Sequence, residues 1–193
     1  GTITFAGGML QFTSSNAFDY SPRFATTDNQ SFKFDTNGQT VTFGSSIQST
    51  GGVLAKYGAG TLILSGANTY SGATTVNTGS LRAANNSALG TTAGGVTVSS
   101  GAALELSGNI TIGSEALSVA GTGVAGNGVI RNVSGANIYG GAITLGSDTT
   151  ITSASGTLTI AGNISGAKTL TFNGSGGTNI TGIVGTGAGD IIK

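Results

Sequence analysis

Carboxylates are the side chains of this sequence best suited to hydrolytic chemistry, because it contains neither histidine nor cysteine. They are scattered along the chain: Asp19, Asp28, Asp35, Glu105, Glu115, Asp148 and Asp190. Hydrolysis of a glycosidic bond needs two carboxyl groups held a fixed distance apart. Glu105 and Glu115 are separated by about half a turn of the solenoid fold derived below, which points them to different faces. We therefore expect solvated surface acids and no enzymatic activity.

The composition excludes several classes of partner. Charged residues make up 7% of the chain, and seven bases balance seven acids. A groove that tracks nucleic-acid phosphates needs excess positive charge, so no nucleic-acid partner is expected. The absence of histidine, cysteine and calcium-binding nonapeptides argues against metals and cofactors. No apolar run has the length of a membrane-spanning helix, so we expect no membrane insertion of this segment.

Asparagines that precede serine or threonine by two positions form a second group of candidate sites. They are Asn29, Asn85, Asn109, Asn132, Asn163, Asn173 and Asn179. Asparagine tolerates left-handed turns and stacks in ladders, so we expect many of these residues at corners, with glycosylation as the alternative. Lysines close to asparagines, such as Lys33 and Lys168, also allow an isopeptide crosslink, although a solvated lysine is the simpler expectation.

Short bursts of alternating apolar residues supply the elements that must position these groups. They include residues 2–5, 32–34, 41–43, 61–64, 96–98, 104–106, 110–112, 143–145, 158–160 and 170–172. Alternation over three to five β-branched or aromatic residues predicts strands, and the glycine, asparagine and serine between them predict tight turns. The hydrophobic share of 37% and the mean hydropathy of +0.22 argue against disorder. The chain is therefore expected to be all-β.

The spacing of the strands selects among all-β architectures. Strand centres recur about every 6 to 12 residues, as in the sides of a solenoid rung. A phrase of strand, small polar residue and glycine recurs at 61–66, 103–108, 157–162 and 169–174. One rung cannot bury its inner face, whereas stacked rungs of roughly 20 to 25 residues can. The sequence predicts one continuous right-handed parallel β-helix (β-solenoid) of about eight or nine rungs.

Residues 58–81 carry a denser pattern, GAGTLILSGANTYSGATTVNTGSL. This segment resembles the passenger-associated repeat of bacterial autotransporters, which reads G-x-G-T-L-x-L-S-G-x-N-x-Y-x-G-x-T-x-V-x-x-G-x-L. The resemblance assigns structural roles to Gly60, Leu62, Leu64, Gly66, Asn68, Tyr70, Gly72, Thr74, Val76, Gly79 and Leu81. It implies a secreted, surface-exposed β-helical stalk. We divide this single solenoid into aromatic-rich N-terminal rungs (1–50), the repeat motif (51–90) and further rungs (91–193).

Aromatic residues are concentrated at the start of the chain, where seven of the eight phenylalanines lie within the first 43 residues. Residues 13–31 show little alternation and contain the only proline, which predicts a long loop excursion. Aromatic and arginine side chains concentrate binding energy at interfaces. The candidates for a contact with a neighbouring subunit or repeat are Phe18, Tyr20, Arg23 and Phe24. Alternatively, these rings cap the core or pack the loop onto its own rungs.

Two functional hypotheses follow. The first is a structural extracellular segment of a large repetitive bacterial surface protein, which forms a stalk, fibre or coat. Open solenoid ends are sheet edges, so self-association from head to tail is expected. The alternative is an adhesin passenger module that binds surface glycans or neighbouring cells. Residues 187–193 also resemble 51–56, which predicts a larger repeat of about 137 residues.

Overall fold

Twenty short strands form from the alternating segments, and the computed structural model describes all residues 1–193. Helix is limited to two single 3-10 turns, Ser21–Arg23 and Val124–Gly126. In chain order the strands are β1 Leu10–Gln11, β2 Ser31–Asp35, β3 Thr40–Phe43, β4 Val53–Tyr57, β5 Thr61–Leu64, β6 Thr74–Val76, β7 Ser80–Ala83, β8 Val96–Val98, β9 Ala103–Ser107, β10 Thr111–Ile112, β11 Leu117–Gly121, β12 Ile130–Ser134, β13 Ala136–Tyr139, β14 Ile143–Ser153, β15 Thr157–Ile160, β16 Ile164–Ser165, β17 Leu170–Asn173, β18 Gly177–Ile180, β19 Val184–Gly185 and β20 Ile191–Ile192.

The strands stack on three faces, and their pairing is parallel throughout. Face A consists of β1, β2, β4, β6, β8, β11, the first part of β14, β16 and β19. Face B consists of β3, β5, β7, β9, β12, the last part of β14, β17 and β20. Face C consists of β10, β13, β15 and β18. The predicted all-β solenoid is confirmed, with about nine turns.

The length of a turn varies because corner loops differ in length. One turn spans 20 residues between Asn68 and Ala88, but 27 residues between Ile110 and Asn137. The longer turn contains the glycine-rich loop 121–128, which connects β11 on face A to face B. Loop length therefore decides which face a given stretch of sequence reaches.

A single cluster of 36 buried hydrophobic residues fills the bore of the solenoid, from Phe5 to Leu170. Its members come from alternate positions, as the burial pattern of β3 and β5 shows. Phenylalanines fill the first turns, with edge-to-face contacts between Phe34 and Phe43 at 4.8 Å. Later turns use leucine, isoleucine and valine, so one continuous core holds all the turns together.

The structure shows on which faces the copies of the recurring phrase and the ends of the larger repeat lie. Three copies of the recurring phrase lie on face B, but the copy at 157–162 begins with β15 on face C. The predicted repeat of about 137 residues fails as a structural repeat. Ile191 of β20 pairs with Leu170 on face B, whereas the matching Leu54 of β4 lies on face A. Variable corners carry similar sequences to different faces.

The predicted loop excursion 13–31 is shorter than expected. The chain turns back between Thr13 and Asn16, and it rejoins the solenoid at Phe24, which pairs in parallel with Ile3. The carboxylate of Asp19 accepts hydrogen bonds from the backbone N–H groups of Ser21 at 2.8 Å and Gly44 at 2.9 Å. These bonds fix the excursion to the next turn.

Candidate functional site

The apolar letters of the motif at 58–81 lie on the inside of one complete turn, which runs from β5 through β6 to β7. The side chains of Leu62, Leu64, Val76 and Leu81 are fully buried in the core. Leu62 pairs directly with Leu81 of the next turn on face B. The motif leucines and valine therefore build the continuous bore, and their regular spacing sets the register between turns.

The motif glycines, Gly60, Gly66, Gly72 and Gly79, lie at the corners of the turn. A Cβ atom on Gly66 would lie 2.4 Å from the carbonyl oxygen of Ser45, far inside normal contact distance. Gly60 has a φ of 87° as well, which only glycine adopts without strain. These corners need glycine because the backbone of the preceding turn passes directly against them.

On the side where these turns have no regular strand, polar side chains of the motif form the hydrogen bonds between turns that a backbone ladder would otherwise form. The side-chain oxygen of Asn68 accepts from the N–H of Ile47 at 2.8 Å, and its amide nitrogen donates to the carbonyl of Ala88 at 2.6 Å. Asn68 thereby joins three consecutive turns. The buried hydroxyls of Tyr70 and Thr74 share a hydrogen bond of 2.6 Å.

Comparison with known proteins agrees with this geometry. The family model for the passenger-associated-transport-repeat matches residues 54–83. A curated relative, the "Adhesin BmaC autotransporter" of Brucella suis biovar 1 (strain 1330), is 36% identical over 157 residues. The chain carries a repeat of the autotransporter passenger family at residues 54–83. Members of this family are secreted to the bacterial cell surface, and the chain is a surface β-solenoid passenger segment.

The alignment with this relative covers 80% of the autotransporter passenger segment but 3% of the adhesin. No solved structure matches the segment significantly. Neither of its two helical turns has the length and apolar character that a membrane-spanning helix needs. No group of three or more acidic side chains lies close enough together to hold a metal ion.

The four interface candidates of the passenger segment separate in the structure. Phe24 is a core residue that contacts Phe5 edge to face at 5.0 Å, so its assignment to an interface is wrong. Tyr20 is half-buried, and its ring stacks on Phe12. Phe18 is 66% exposed. Arg23 is also exposed, and its Nε donates to the carbonyl oxygen of Gly1 at 2.8 Å.

The asparagines divide between turns and ladders. Asn29 and Asn109 adopt left-handed φ values of 58° and 61°, as expected for corner residues. Asn132 is instead buried, and its side-chain amide donates to the carbonyl of Ser155 at 2.7 Å. Asn163 accepts from the N–H of Ile183 in the next turn at 2.9 Å. These side chains serve as hydrogen-bonding partners of the backbone.

Both glutamates are buried, which contradicts the expectation of solvated surface acids. Glu105 is held by Arg82 and Arg131, as described below. Glu115 is 3% exposed, and its Oε1 has no hydrogen-bond partner. Burial raises the pKa of Glu115, while a bond from the backbone of Gly95 opposes the shift. The two carboxylates therefore have different surroundings, since Glu105 is ion-paired and Glu115 is not.

Lys56 was not singled out by the sequence, although it becomes the most deeply buried charge. It occupies an inward position of β4 between Phe34 and Val76. Its ammonium donates to the carbonyl oxygens of Tyr57 at 2.8 Å, Gly58 at 2.7 Å and Thr78 at 3.1 Å. Burial lowers the pKa of Lys56 to about 8 against the opposing charge of Asp35. The alternation of β4 was the one signal that placed it inside.

A charged row crosses the outer side of face B where Arg82, Glu105 and Arg131 pair in register. Arg82 donates from Nε and Nη2 to Oε2 of Glu105, at 2.8 and 2.6 Å. Arg131 reaches Oε1 of the same carboxylate from Nη1 at 3.4 Å. Glu105 and Arg131 of this row line a cavity of about 50 Å³ under the loop 121–128. An uncharged groove of about 520 Å³, which extends from Gly58 to Val124, adjoins this cavity at Ser80 and Val124. We call the two together the charged groove.

Proposed function

We propose that this segment is a rigid structural spacer in a surface passenger, and that its turns continue by stacking from head to tail. The observation that carries the proposal is the uninterrupted core, which connects every turn through parallel ladders. About nine turns at the strand spacing of roughly 4.8 Å give a rod on the order of 40 Å long. Such a rod bends only if its ladder bonds or its core packing are disturbed.

The end turns support the stacking part of the proposal. Ile183, Ile191 and Ile192 in the last turns are exposed by 72%, 58% and 49%. Met9 in the first turn is exposed by 48%, and together with Ile3 and Leu10 it lines a shallow apolar pocket. Exposed strand edges that carry apolar side chains pair with further solenoid turns, whether of the same protein or of another copy. Phe18 and Arg23 are near the first turn and would add side-chain contacts to this junction.

Small-angle X-ray scattering at increasing protein concentration tests the proposal. The longest dimension should grow in steps of one rod length, while the cross-section of the particle stays constant. An Ile191→Asp/Ile192→Asp variant should stay at one rod length, because the charges oppose burial at the junction. Val53→Asp is the matched control, since Val53 is an exposed aliphatic residue on the flank of face A.

Two results would contradict the proposal. A dimension that is independent of concentration would exclude stacking between ends. Equal loss of association in the Val53→Asp variant would show that copies associate by their flanks. Before the scattering data are interpreted, circular dichroism must show that both variants keep the β spectrum of the wild-type protein.

A further inference from the structure

Three of the seven basic side chains of the protein lie in or next to the charged groove: Arg131 lines its smaller cavity, Arg82 binds Glu105 of that cavity, and Lys56 lies below Gly79. Arg82 and Arg131 lie on the outer surface of face B. The ammonium of Lys56 lies under the floor of the groove, 2.8 Å from the position that a Cβ on Gly79 would occupy. Glu105 and Asp35 are the acids close to these three cations. The groove therefore carries one positive charge in excess, in a chain that is neutral as a whole.

Arg131 has unused hydrogen-bonding capacity in this groove. Glu105 is bound mainly by Arg82, and the contact from Arg131 at 3.4 Å is at the limit of a hydrogen bond. The Nε of Arg131 is buried and has no partner. Thr152, which pairs in register with Arg131, is 8% exposed, and its Oγ1 is unpartnered as well. The Arg131 side chain is 32% exposed, and its one acceptor, Glu105, is at the limit of hydrogen-bond distance, so the site has room for an additional anionic acceptor.

The groove is large enough for a sugar ring or two and is lined by suitable groups. Its main part of about 520 Å³ falls within the range of small-ligand sites. A smaller cavity of about 50 Å³ adjoins it under the loop 121–128, and Ser80 and Val124 line both. Hydroxyl and amide groups for hydrogen bonds come from Thr61, Thr78, Ser80 and Asn127.

We propose that the charged groove binds a carboxylated saccharide. Its carboxylate accepts hydrogen bonds from the free donors of Arg131, and its ring hydroxyls bond to Ser80, Thr61 and Asn127. This inference goes beyond the spacer role and does not depend on it. A peptide fits less well for two reasons. The face B strands under the groove, β5, β7 and β9, are paired on both sides, so no sheet edge is free for a peptide strand. Val124 is also the one large apolar side chain of the lining.

Isothermal titration calorimetry with three acidic probes tests the proposal: a galacturonate oligosaccharide, a hyaluronan oligosaccharide and sialyllactose. Each probe is paired with its methyl ester, which has the same rings without the charge. At least one acid should bind, and its ester should bind about tenfold more weakly or worse, as expected for the loss of a charge-assisted hydrogen bond. Binding should also weaken as salt increases.

Variants locate the binding site. Arg131→Gln should lower the affinity about tenfold, whereas Lys33→Gln removes the same charge from face A and should leave the affinity unchanged. Asn127 lies in an exposed loop, so Asn127→Ala tests the groove without changing the charged residues Arg82, Glu105 and Arg131. It should weaken binding severalfold without changing the melting temperature.

The proposal is overturned if none of the three acids binds at millimolar concentration. It is also overturned if the esters bind as well as the acids. Unchanged affinity in both Arg131→Gln and Asn127→Ala would place the ligand elsewhere. Binding of acidic peptides in preference to all three saccharides would assign the groove to a protein partner instead.

Discussion

A column of glycines at one corner offers a quantitative test of how the turns stack. Gly141, Gly162 and Gly182 lie on top of one another in consecutive turns. A Cβ on Gly162 would lie 1.8 Å from the carbonyl oxygen of Gly141, and one on Gly182 would lie 2.2 Å from the carbonyl oxygen of Gly162. None of the three has a positive φ, so the requirement for glycine is steric and not conformational.

The cost of Gly162→Ala can be worked from this geometry. Side-chain carbons essentially never approach other atoms within 3.0 Å, so the two turns must separate locally by about 1 Å. That movement breaks the bonds between these two turns that the N–H groups of Ala161, at 2.8 Å, and of residue 162, at 3.4 Å, donate to the carbonyl of Tyr139. Two lost hydrogen bonds at about 1 kcal/mol each, plus about 1 to 2 kcal/mol of packing strain, give about 3 to 4 kcal/mol.

Gly113→Ala is the matched control. No atom lies within 4 Å of the position of its Cβ, and its φ is not positive. This change should be neutral or stabilise the protein by about 0.5 kcal/mol, because alanine restricts the unfolded chain. Thermal unfolding followed by circular dichroism should show a melting temperature for Gly162→Ala about 10 °C lower than for Gly113→Ala.

Local measurement strengthens the test, because solenoids do not always unfold in one step. Hydrogen exchange should accelerate at the amides of Ala161 and residue 162 in the Gly162→Ala variant and stay unchanged around Phe34. Equal melting temperatures for the two alanine variants would refute the steric argument. That result would mean that the turns can separate at this corner without losing ladder hydrogen bonds.

Three further predictions concern buried polar groups. The free energy of unfolding should rise between pH 8 and 10.5, because folded Lys56 releases its proton near pH 8 whereas the unfolded lysine keeps it to 10.5. In denaturant titrations, the Lys56→Met variant should not show this rise. Because the pKa of Glu115 is raised on folding, stability should increase as the pH falls from 7 towards 4.5, and Glu115→Gln should remove this dependence. Asn137→Ala removes the acceptor of the Ile110 N–H and should cost about 2 to 4 kcal/mol, while exposed Asn179→Ala should cost under about 0.5 kcal/mol in the same titrations.

The spacer role and the proposed saccharide site both depend on the glycines of the motif. The glycines that let the turns stack also leave the floor of the charged groove bare, since Gly58, Gly60 and Gly79 line it. A solenoid of this kind therefore obtains a binding groove wherever a corner loop and a charged row meet over glycine corners. In this chain the loop 121–128 provides that meeting point.

Local patterns in the sequence were sufficient for much of the fold. Alternation located strands such as β3 and β5, and glycine and asparagine located the corners, because both signals depend on neighbouring residues only. The dense spacing at 58–81 was enough to recognise the repeat, and the inward leucines followed from it.

Other features were decided only by the tertiary structure. Neither the burial of Glu105 between Arg82 and Arg131 nor the carbonyl contacts of Lys56 can be read from the sequence. Both depend on which residues meet one turn later, and that register changes with the length of every intervening corner. Phe24 joined the core for the same reason, because the excursion before it was shorter than the sequence indicated. In a solenoid, side-chain periodicity decides which residues of a strand point into the core, and loop lengths decide which residues of the next turn they contact.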